Sequence, residues 1–508
     1  MSINKKIKNL DELARIISGL RSEKRKVVHC HGVFDLLHIG HIRYFEQAGS
    51  MGDILIVTVT PDKYVDKGPG RPAFPENFRA EAVASLNSVD YVAINKWPTA
   101  EETLRLLRPD VYVKGSEFKD TSSDMTGKIG KEEQVIQEIG ATLAFTEDIV
   151  FSSTNLINRY FSNLPGEIQE YLHVFRERYS INEIFAVLDR MQTLKVFILG
   201  DTIIDEYNYC QAIGMSSKDP ALAIKYKSND LFAGGVLAVS NHVANFTESV
   251  ELGTILGDNE SYEEFIRSQL HGNIIPKFII KDGSPTTIKR RFIEGYSLSK
   301  LLEVYVIDDS ILPSEKIIEF CQYLQEELPK FDLVIAADFG HGAINHEIIQ
   351  TLVRYSRFLA VNTQANAGNR GYNTISRYPK ADFVSIAEHE VRLDKRDLNG
   401  ALRPIMHELI RKLHCKQFVV TRGRKGAMVA NGQEGFVEVP SFARNVVDRV
   451  GAGDAFFAIT AMASAVGVQN EILGFIGNIV GSLAAEIVGN KKAIDKMSVK
   501  KYITALMK

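Results

Sequence analysis

Twice in this sequence an apolar strand runs into a turn rich in Gly, Asp and His and then into a helix. The first instance is KVVHCHGVFDLLHIGHIRYFEQA, from Lys26, and the second is LKVFILGDTIIDEY, from Leu194. A strand that restarts in this way after about 170 residues predicts two α/β domains, each with its own sheet. The chain of 508 residues is long enough for both, since domains commonly run to about 100–200 residues. We place the first domain at 1–160, a connector at 161–192 and the second domain at 193–508. In the connector, Ile168, Leu172 and Phe175, then Ile184, Val187 and Leu188, recur at helical spacing with charges on the other faces.

In the first domain the runs IVTVT (56–60), YVAIN (91–95) and VYVKG (111–115) alternate with helical patterns such as ENFRAEAVASL. The second repeats the alternation with LVIAADFG (333–340), RFLAVNT (357–363), DFVSIAE (382–388) and QFVVTRG (417–423). Both read as parallel sheets covered on two faces.

Composition removes several classes of partner. Sixty Lys plus Arg against 63 Asp plus Glu give a net charge of −3, with no overall attraction for nucleic acid or an anionic membrane. Hydrophobic residues at 45% and charged residues at 24% argue against wholesale disorder. Cys30, Cys210, Cys321 and Cys415 lack C-x-x-C spacing, so neither a disulfide framework nor a thiolate zinc site is expected. The N-terminal stretch breaks its apolar pattern with charges, unlike a signal peptide, and no run reaches the roughly 20 apolar residues of a membrane span. A cytoplasmic protein without a nucleic-acid or membrane partner is the expectation.

His38-Ile39-Gly40-His41 closes the first strand–turn unit and opens a helix. Helix N-terminal amides face an anion, Gly40 permits close approach, and two imidazoles reach toward phosphates. Such donors stabilise charge developing on phosphorus without covalent catalysis. A solitary histidine here would read as a helix cap or core residue; the pair with Gly40 between them points to chemistry. The segment Lys496-Met497-Ser498-Val499-Lys500 matches the KMSKS loop of class I aminoacyl-tRNA synthetases imperfectly, and falls beyond the second domain, so we read it as chance.

The flanks decide the family. GVFDLLHIGHIRYFEQA, TPDKYVDKGPGRPAFPENFRAEAVASL, YVAIN, RPDVYVKGSEF and FSSTNLI, in that order, resemble the cytidylyltransferase-like nucleotidyltransferases over residues 10–158. Within them the match is to the adenylyltransferase part of bifunctional ADP-heptose synthesis enzymes. The resemblance implies a Rossmann-like fold in which His38 and His41 stabilise the transition state at the nucleotide α-phosphate. It implies phosphate contacts from Lys67, Arg71 and Arg79, each of which reads equally well as solvated surface charge. Ser152, Ser153 and Thr154 would meet the nucleotide at a helix start, Lys114 and Gly115 would line its pocket, and Phe34 and Asp35 would shape the loop before the histidines. His31, where relatives often carry Asn, and Phe151, where many carry Thr, leave ATP or CTP open as the nucleotide.

Near the C-terminus, Gly451-Ala452-Gly453-Asp454 leads into the apolar helix FFAITAMASAV. Glycines at a helix start leave N–H groups to hold a phosphoryl group, and a carboxylate beside them can take a proton from an attacking hydroxyl. Alone, the motif reads as an ordinary helix entry. In sequence order with GDTIIDEY, FAGGVLAVSNHVANF, PTTIKRRFIE, DFGHGAI and TRGRKGA, it resembles the ribokinase-like, phosphofructokinase-B-type carbohydrate kinases over 180–508. That resemblance implies an α/β/α sandwich with a small lid sheet and a possible homodimer through this domain. It implies Asp454 as catalytic base, and Gly451, Ala452 and Gly453 as the anion hole. Asp205, Gly234, Gly235 and Asn241 would bind the sugar, and Thr421, Gly423 and Gly426 the nucleotide. Glu388 would serve the metal, and Arg290 and Arg291 a phosphate already on the substrate. Ser385, Arg449 and Ala455 depart from the family pattern and leave a ligand-sensing, degenerate kinase as the alternative.

Together the resemblances imply a bifunctional enzyme that uses ATP and Mg2+, with a sugar phosphate and a nucleoside triphosphate as small-molecule partners. The expected product is a nucleotide-activated sugar of the ADP-heptose kind, with the transferase ahead of the kinase where the heptose enzymes have the reverse. The alternative is a cytidylyltransferase for a polyol or alcohol phosphate, with the kinase supplying that phosphate.

Overall fold

The computed structural model describes residues 3–65, 71–116, 128–146, 164–296, 298–432 and 435–508. It divides into two compact units, Met1–Pro165 with Lys500–Lys508, and Gly166–Val499.

In the first unit the strands are β1 (Val27–Gly32), β2 (Ile54–Val59), β3 (Tyr91–Ile94), β4 (Val111–Lys114) and β5 (Thr142–Phe145). Among the described residues they form one sheet in the order β3-β2-β1-β4-β5, parallel throughout. β1 and β2 bury residues on both sides because each sheet face is covered, with His29, His31 and Thr58 as polar interruptions. Val28, Leu55 and Val57 enter one core cluster with Phe45 and Val83, while Val27, Ile54 and Ile56 enter another with Leu13 and Ile17. The helix Leu10–Ser22 supplies the second face through Leu10, Leu13 and Ile17, and Asn9 caps it by accepting from Glu12 N–H.

The second unit opens with two helices. Gly166–Arg178 buries Leu172 and Phe175, and Phe175 stacks on Phe475 with centroids 4.2 Å apart. Ile181–Met191 begins at a reciprocal Ser180–Glu183 capping box and buries Ile184, Val187, Leu188 and Met191.

Its central element is β6 (Lys195–Met215), which serves two sheets. The first part of β6 pairs in parallel with β8 (Ser249–Asn259) and β12 (Leu333–Asp338). From there β13 (Leu359–Thr363), β14 (Phe383–Ala387) and β15 (Gln417–Thr421) continue in parallel, and β16 (Ala427–Asn431) and β17 (Gly435–Val439) close the edge antiparallel. On the other side β8 pairs with β9 (Ile274–Pro285). The later part of β6 pairs with β7 (Leu222–Gly235) and β10 (Ile288–Glu294), and β10 with β11 (Lys300–Val306), making a smaller sheet. Because β12 to β15 run parallel, Asp338, Thr363, Glu388 and Thr421 all lie at carboxyl ends, where open α/β sheets hold ligands. No helix among the described residues is long and apolar enough to cross a membrane.

Candidate active sites

In the first unit the turn after β1 is built around a buried carboxylate. Asp35 accepts from the N–H groups of Ala73 (2.9 and 2.8 Å) and Phe74 (3.1 Å), and Arg71 Nη1 lies 3.6 Å from it. Arg79, itself 2% exposed, closes the turn from beneath. It donates to the carbonyls of Phe74, Val33 and Thr60 and to the Asp62 carboxylate. Arg79 is therefore spent on the fold, whereas Arg71 stands over the anchored loop. Phe34 and Leu36 take positive φ there, which turns the chain into the helix Ile39–Gly49.

His38 is the cap of that helix, its Nδ1 accepting from Gly40 N–H at 3.1 Å. Burial holds the His38 imidazole below its usual range. A neutral ring accepting at Nδ1 carries its proton on Nε2, the donor form a phosphate oxygen requires. His41 stacks on His38 with centroids 4.0 Å apart, and Phe34 meets His41 edge-on. The two imidazoles predicted to act together thus do stand together at a helix N-terminus.

Behind them runs a file of polar side chains along β1 and β2. His29 Nε2 and His31 Nδ1 each lie 2.8 Å from the Thr58 hydroxyl, and His31 Nε2 lies 3.3 Å from that of Thr60. His31 is thereby tied into the strand layer. Lys114, at the end of β4, pairs with Glu132 at 2.8 Å. Lys67, Ser152, Ser153 and Thr154 lie outside the described residues.

In the second unit the helix Ala452–Ala465 starts at Gly451, whose φ of 82° is left-handed. A Cβ at Gly451 would fall 2.1 Å from the Asn490 side chain, so only glycine fits. The loop before it is pinned by Asp448, which accepts from Tyr207 O–H (2.6 Å), Val450 N–H (3.1 Å) and Gly489 N–H (3.0 Å). Asp454 follows in the first turn of the helix. Desolvation, with repulsion from Asp205 against the opposing attraction of Lys289, pushes its carboxyl up to about 7. A base poised near neutrality is suited to accept a proton from a hydroxyl and to release it afterwards.

Asp205 lies on the far part of β6, 3% exposed, and holds Arg291 from the neighbouring strand. Gly234 passes so close that a Cβ there would stand 2.1 Å from the Asp205 carboxylate. Arg290 faces the other side of β10 and pairs with Glu206 at 2.7 Å. The two arginines, adjacent in sequence, are thus separated by strand alternation, and Arg291 is the one at Asp205. Asn241 is also occupied: its amide donates to Gln269 C=O (3.0 Å) and accepts from His271 N–H (2.9 Å).

At the carboxyl end of β15, Thr421 closes the strand, and Arg422 N–H donates to Gly426 C=O at 2.8 Å across the turn. Gly423 and Gly426 both have positive φ, and a Cβ at Gly426 would strike Val439 C=O. Glu388 is bonded to Arg392 at 2.7 Å. Two residues on, Glu390 is buried and takes the N–H groups of Ala365 (2.9 Å) and Ala387 (2.7 Å). Burial pushes its carboxyl up to about 7, the backbone donors opposing and Asp454 adding to the rise.

Glu390, Lys289, Asp201 and His341 were not singled out from sequence. Asp201 clamps the loop after β12 by accepting from Phe339 N–H (2.9 Å) and Ala343 N–H (2.8 Å). His341 in that loop reaches Asp309 and Asn366, each at 3.3 Å. Only the alternation around PTTIKRRFIE carried a usable signal, since it places 289 and 291 on one strand face.

A helix-start imidazole pair on one parallel sheet, and a glycine-rich helix start with a raised carboxylate on another, define two phosphate-handling α/β classes. The family comparison agrees: a cytidylyltransferase-like family model matches residues 29–159, and a pfkB family carbohydrate kinase model matches 193–497. The second covers more than half of the chain, which belongs to the pfkB carbohydrate kinase family and carries a cytidylyltransferase-like domain ahead of it. Among curated relatives, the bifunctional protein HldE of Citrifermentans bemidjiense is 37% identical over 154 residues, 30% of this chain and 30% of that one. HldE of Campylobacter jejuni is 42% identical over 122 residues, 24% of this chain and 26% of that one. The chain spans less than a third of the length of these relatives. Among solved structures, phosphofructokinase-2 from Escherichia coli superposes with a TM-score of 0.51 at 14% identity. That match covers 62% of this chain and 100% of the other, a likeness of fold.

Proposed function

We propose that the chain is a cytoplasmic bifunctional enzyme that makes a nucleotide-activated sugar. The second unit transfers the γ-phosphoryl group of ATP to a hydroxyl of a sugar or sugar phosphate, of the heptose 7-phosphate kind. The first transfers a nucleotidyl group to a sugar 1-phosphate, giving an ADP-sugar of the ADP-heptose kind and pyrophosphate. The observation that carries this reading is Asp454, a carboxyl held near neutrality one residue beyond a glycine-bounded helix start.

In the kinase step Asp454 takes the proton from the substrate hydroxyl, and the oxygen attacks the γ-phosphorus. The bond to the β–γ bridging oxygen breaks, ADP leaves with the electron pair, and the N–H groups at Gly451–Gly453 receive the phosphoryl oxygens. In the transferase step His38 and His41 donate to the α-phosphate while the sugar phosphate displaces pyrophosphate. Each site then uses the local donors its helix start supplies.

Among the described residues no group of three or more His, Cys, Asp or Glu could hold a metal ion. Mg2+ carried in on a polyphosphate keeps waters and needs only one or two protein carboxylates. Glu388, just after β14 and part-exposed, is the carboxylate that would hold it. The ion would neutralise charge on the polyphosphate.

The small sheet exposes Ile213, Met215, Leu222 and Leu302, which supports a homodimer formed through the kinase unit; light scattering tests it. The deciding experiment incubates the full chain with ATP or CTP and a panel of sugars and sugar phosphates, reading ADP and pyrophosphate separately. The reading requires ADP release that depends on Asp454 and pyrophosphate release that depends on His41. Sugar-independent signals, or signals indifferent to both substitutions, overturn it.

A further inference from the structure

The least balanced charge near Asp454 is a lysine. Lys289 lies on β10 in register with Asp205 of β6, and on the same strand face as Arg291. It is 5% exposed, yet among the described residues its ammonium has no hydrogen-bonded or ion-paired partner. Its nearest ring is Tyr305, with Nζ 5.6 Å from the centroid. Arg291, one alternation further on, is satisfied by Asp205 and Glu303. The charged groups facing Lys289 are Asp205, Asp201 and Asp454 on the acidic side, and Arg291 and His341 on the basic side. Burial lowers its pKa, with the three carboxylates opposing.

An ammonium on a largely buried side chain, with a ring but no hydrogen-bonded counter-ion beside it, is costly, because desolvation is not offset by a close counter-charge. Chains keep such groups where a ligand completes the pairing. The anion expected here is one that arrives beside both Asp454 and Asp205, the base and the carboxylate next to Gly234.

We propose that Lys289 is a further catalytic residue of the kinase unit, its ammonium pairing with the phosphoryl group as that group passes from nucleotide to substrate hydroxyl. This inference rests on the kinase reading above. Proton and electron flow are unchanged: Asp454 takes the hydroxyl proton, and ADP departs with the electron pair. Lys289 adds a charge that is matched only while the phosphoryl group is between donor and acceptor. An interaction of that kind raises kcat in preference to lowering KM.

The test compares wild type, Lys289→Met, which keeps the stem and removes the charge, and Lys289→Arg. One measurement is steady-state ADP release with the sugar that wild type accepts. The other is the thermal midpoint with MgADP, and with MgADP plus aluminium fluoride as a phosphoryl mimic. Lys289→Met should lower kcat by about 100-fold with KM for the sugar within about threefold of wild type. The extra midpoint shift from aluminium fluoride should vanish while that from MgADP stays. Lys289→Arg should recover part of both. Unchanged kcat, a KM effect alone, or a retained aluminium fluoride increment in Lys289→Met overturns the role of Lys289 and leaves the kinase reading standing. If wild type itself releases no sugar-dependent ADP and MgADP does not shift its midpoint, both readings fall together.

Discussion

The two candidate sites, proposed to handle the same kind of anion, differ in how their charges are balanced. Around His38 and His41, among the described residues, neighbouring ions are matched within the protein: Asp35 by loop N–H groups and Arg71, Arg79 by carbonyls and Asp62, Lys114 by Glu132. On the proposed reading, what the described residues offer the nucleotide is the His38–His41 pair and a helix start. Around Asp454 the balance is left open, with a carboxyl raised to about 7 and Lys289 without a close partner. The difference follows from the chemistry. Nucleotidyl transfer to a phosphate oxygen needs no base, because the nucleophile is already an anion. Phosphorylating a hydroxyl needs a proton acceptor, so that site must hold a group that can change charge.

The largest expected effect that could break this contrast is on the base. Asp454→Asn should lower sugar-dependent ADP release by about 10^3-fold or more while pyrophosphate release stays within about twofold. A parallel loss of both would show that the charge states are not independent. Next, His41→Ala should lower pyrophosphate release by about 10^2-fold with kinase turnover unchanged, as expected for loss of one transition-state donor. The pH profiles should then separate. Because Asp454 must be deprotonated to act, kinase kcat/KM should fall as pH drops through about 7. Transferase activity should lack that acidic limb, and a shared limb would contradict the assignment. The smallest effect sharpens the substrate side. Arg291→Lys should raise the sugar KM by about tenfold, since a guanidinium that bridges Asp205 and Glu303 is not reproduced by an ammonium. Arg290→Lys, at the part-buried pair with Glu206 on the opposite strand face, should change it by less than about twofold.

The strands at 54–59, 91–94, 111–114 and 333–338 were readable because apolar runs bounded by turn residues leave few alternatives. The two helix-start motifs were readable for the same local reason, glycine and a short polar group at a strand–helix junction. Partnering was not readable. PTTIKRRFIE displays three cations, and only the pairing of β10 with β6 tells which one faces Asp205 through an ion pair and which remains without one. Glu388 and Glu390 are likewise indistinguishable in sequence. The N-cap there is Ala387, so no Ser or Thr signalled that Glu390 would turn back to the backbone. Arg79 looked like a phosphate ligand because nothing local reveals the carbonyls of Val33 and Thr60 converging on its guanidinium.

The continuity of β6 has a mechanical consequence. Asp201, in the part shared with the large sheet, and Asp205, in the part shared with the small one, lie on the same strand. Four residues of extended chain hold them about 13 Å apart on one face. Bulges in the pairing with β7 occur only further out, between Tyr209 and Cys210 and between Ala212 and Gly214. Any swing of the small sheet over its ligand must therefore be taken up as torsion in an unbroken rod. The backbone that roots Asp201 in the large sheet is thereby the same one that carries Asp205 into the small sheet.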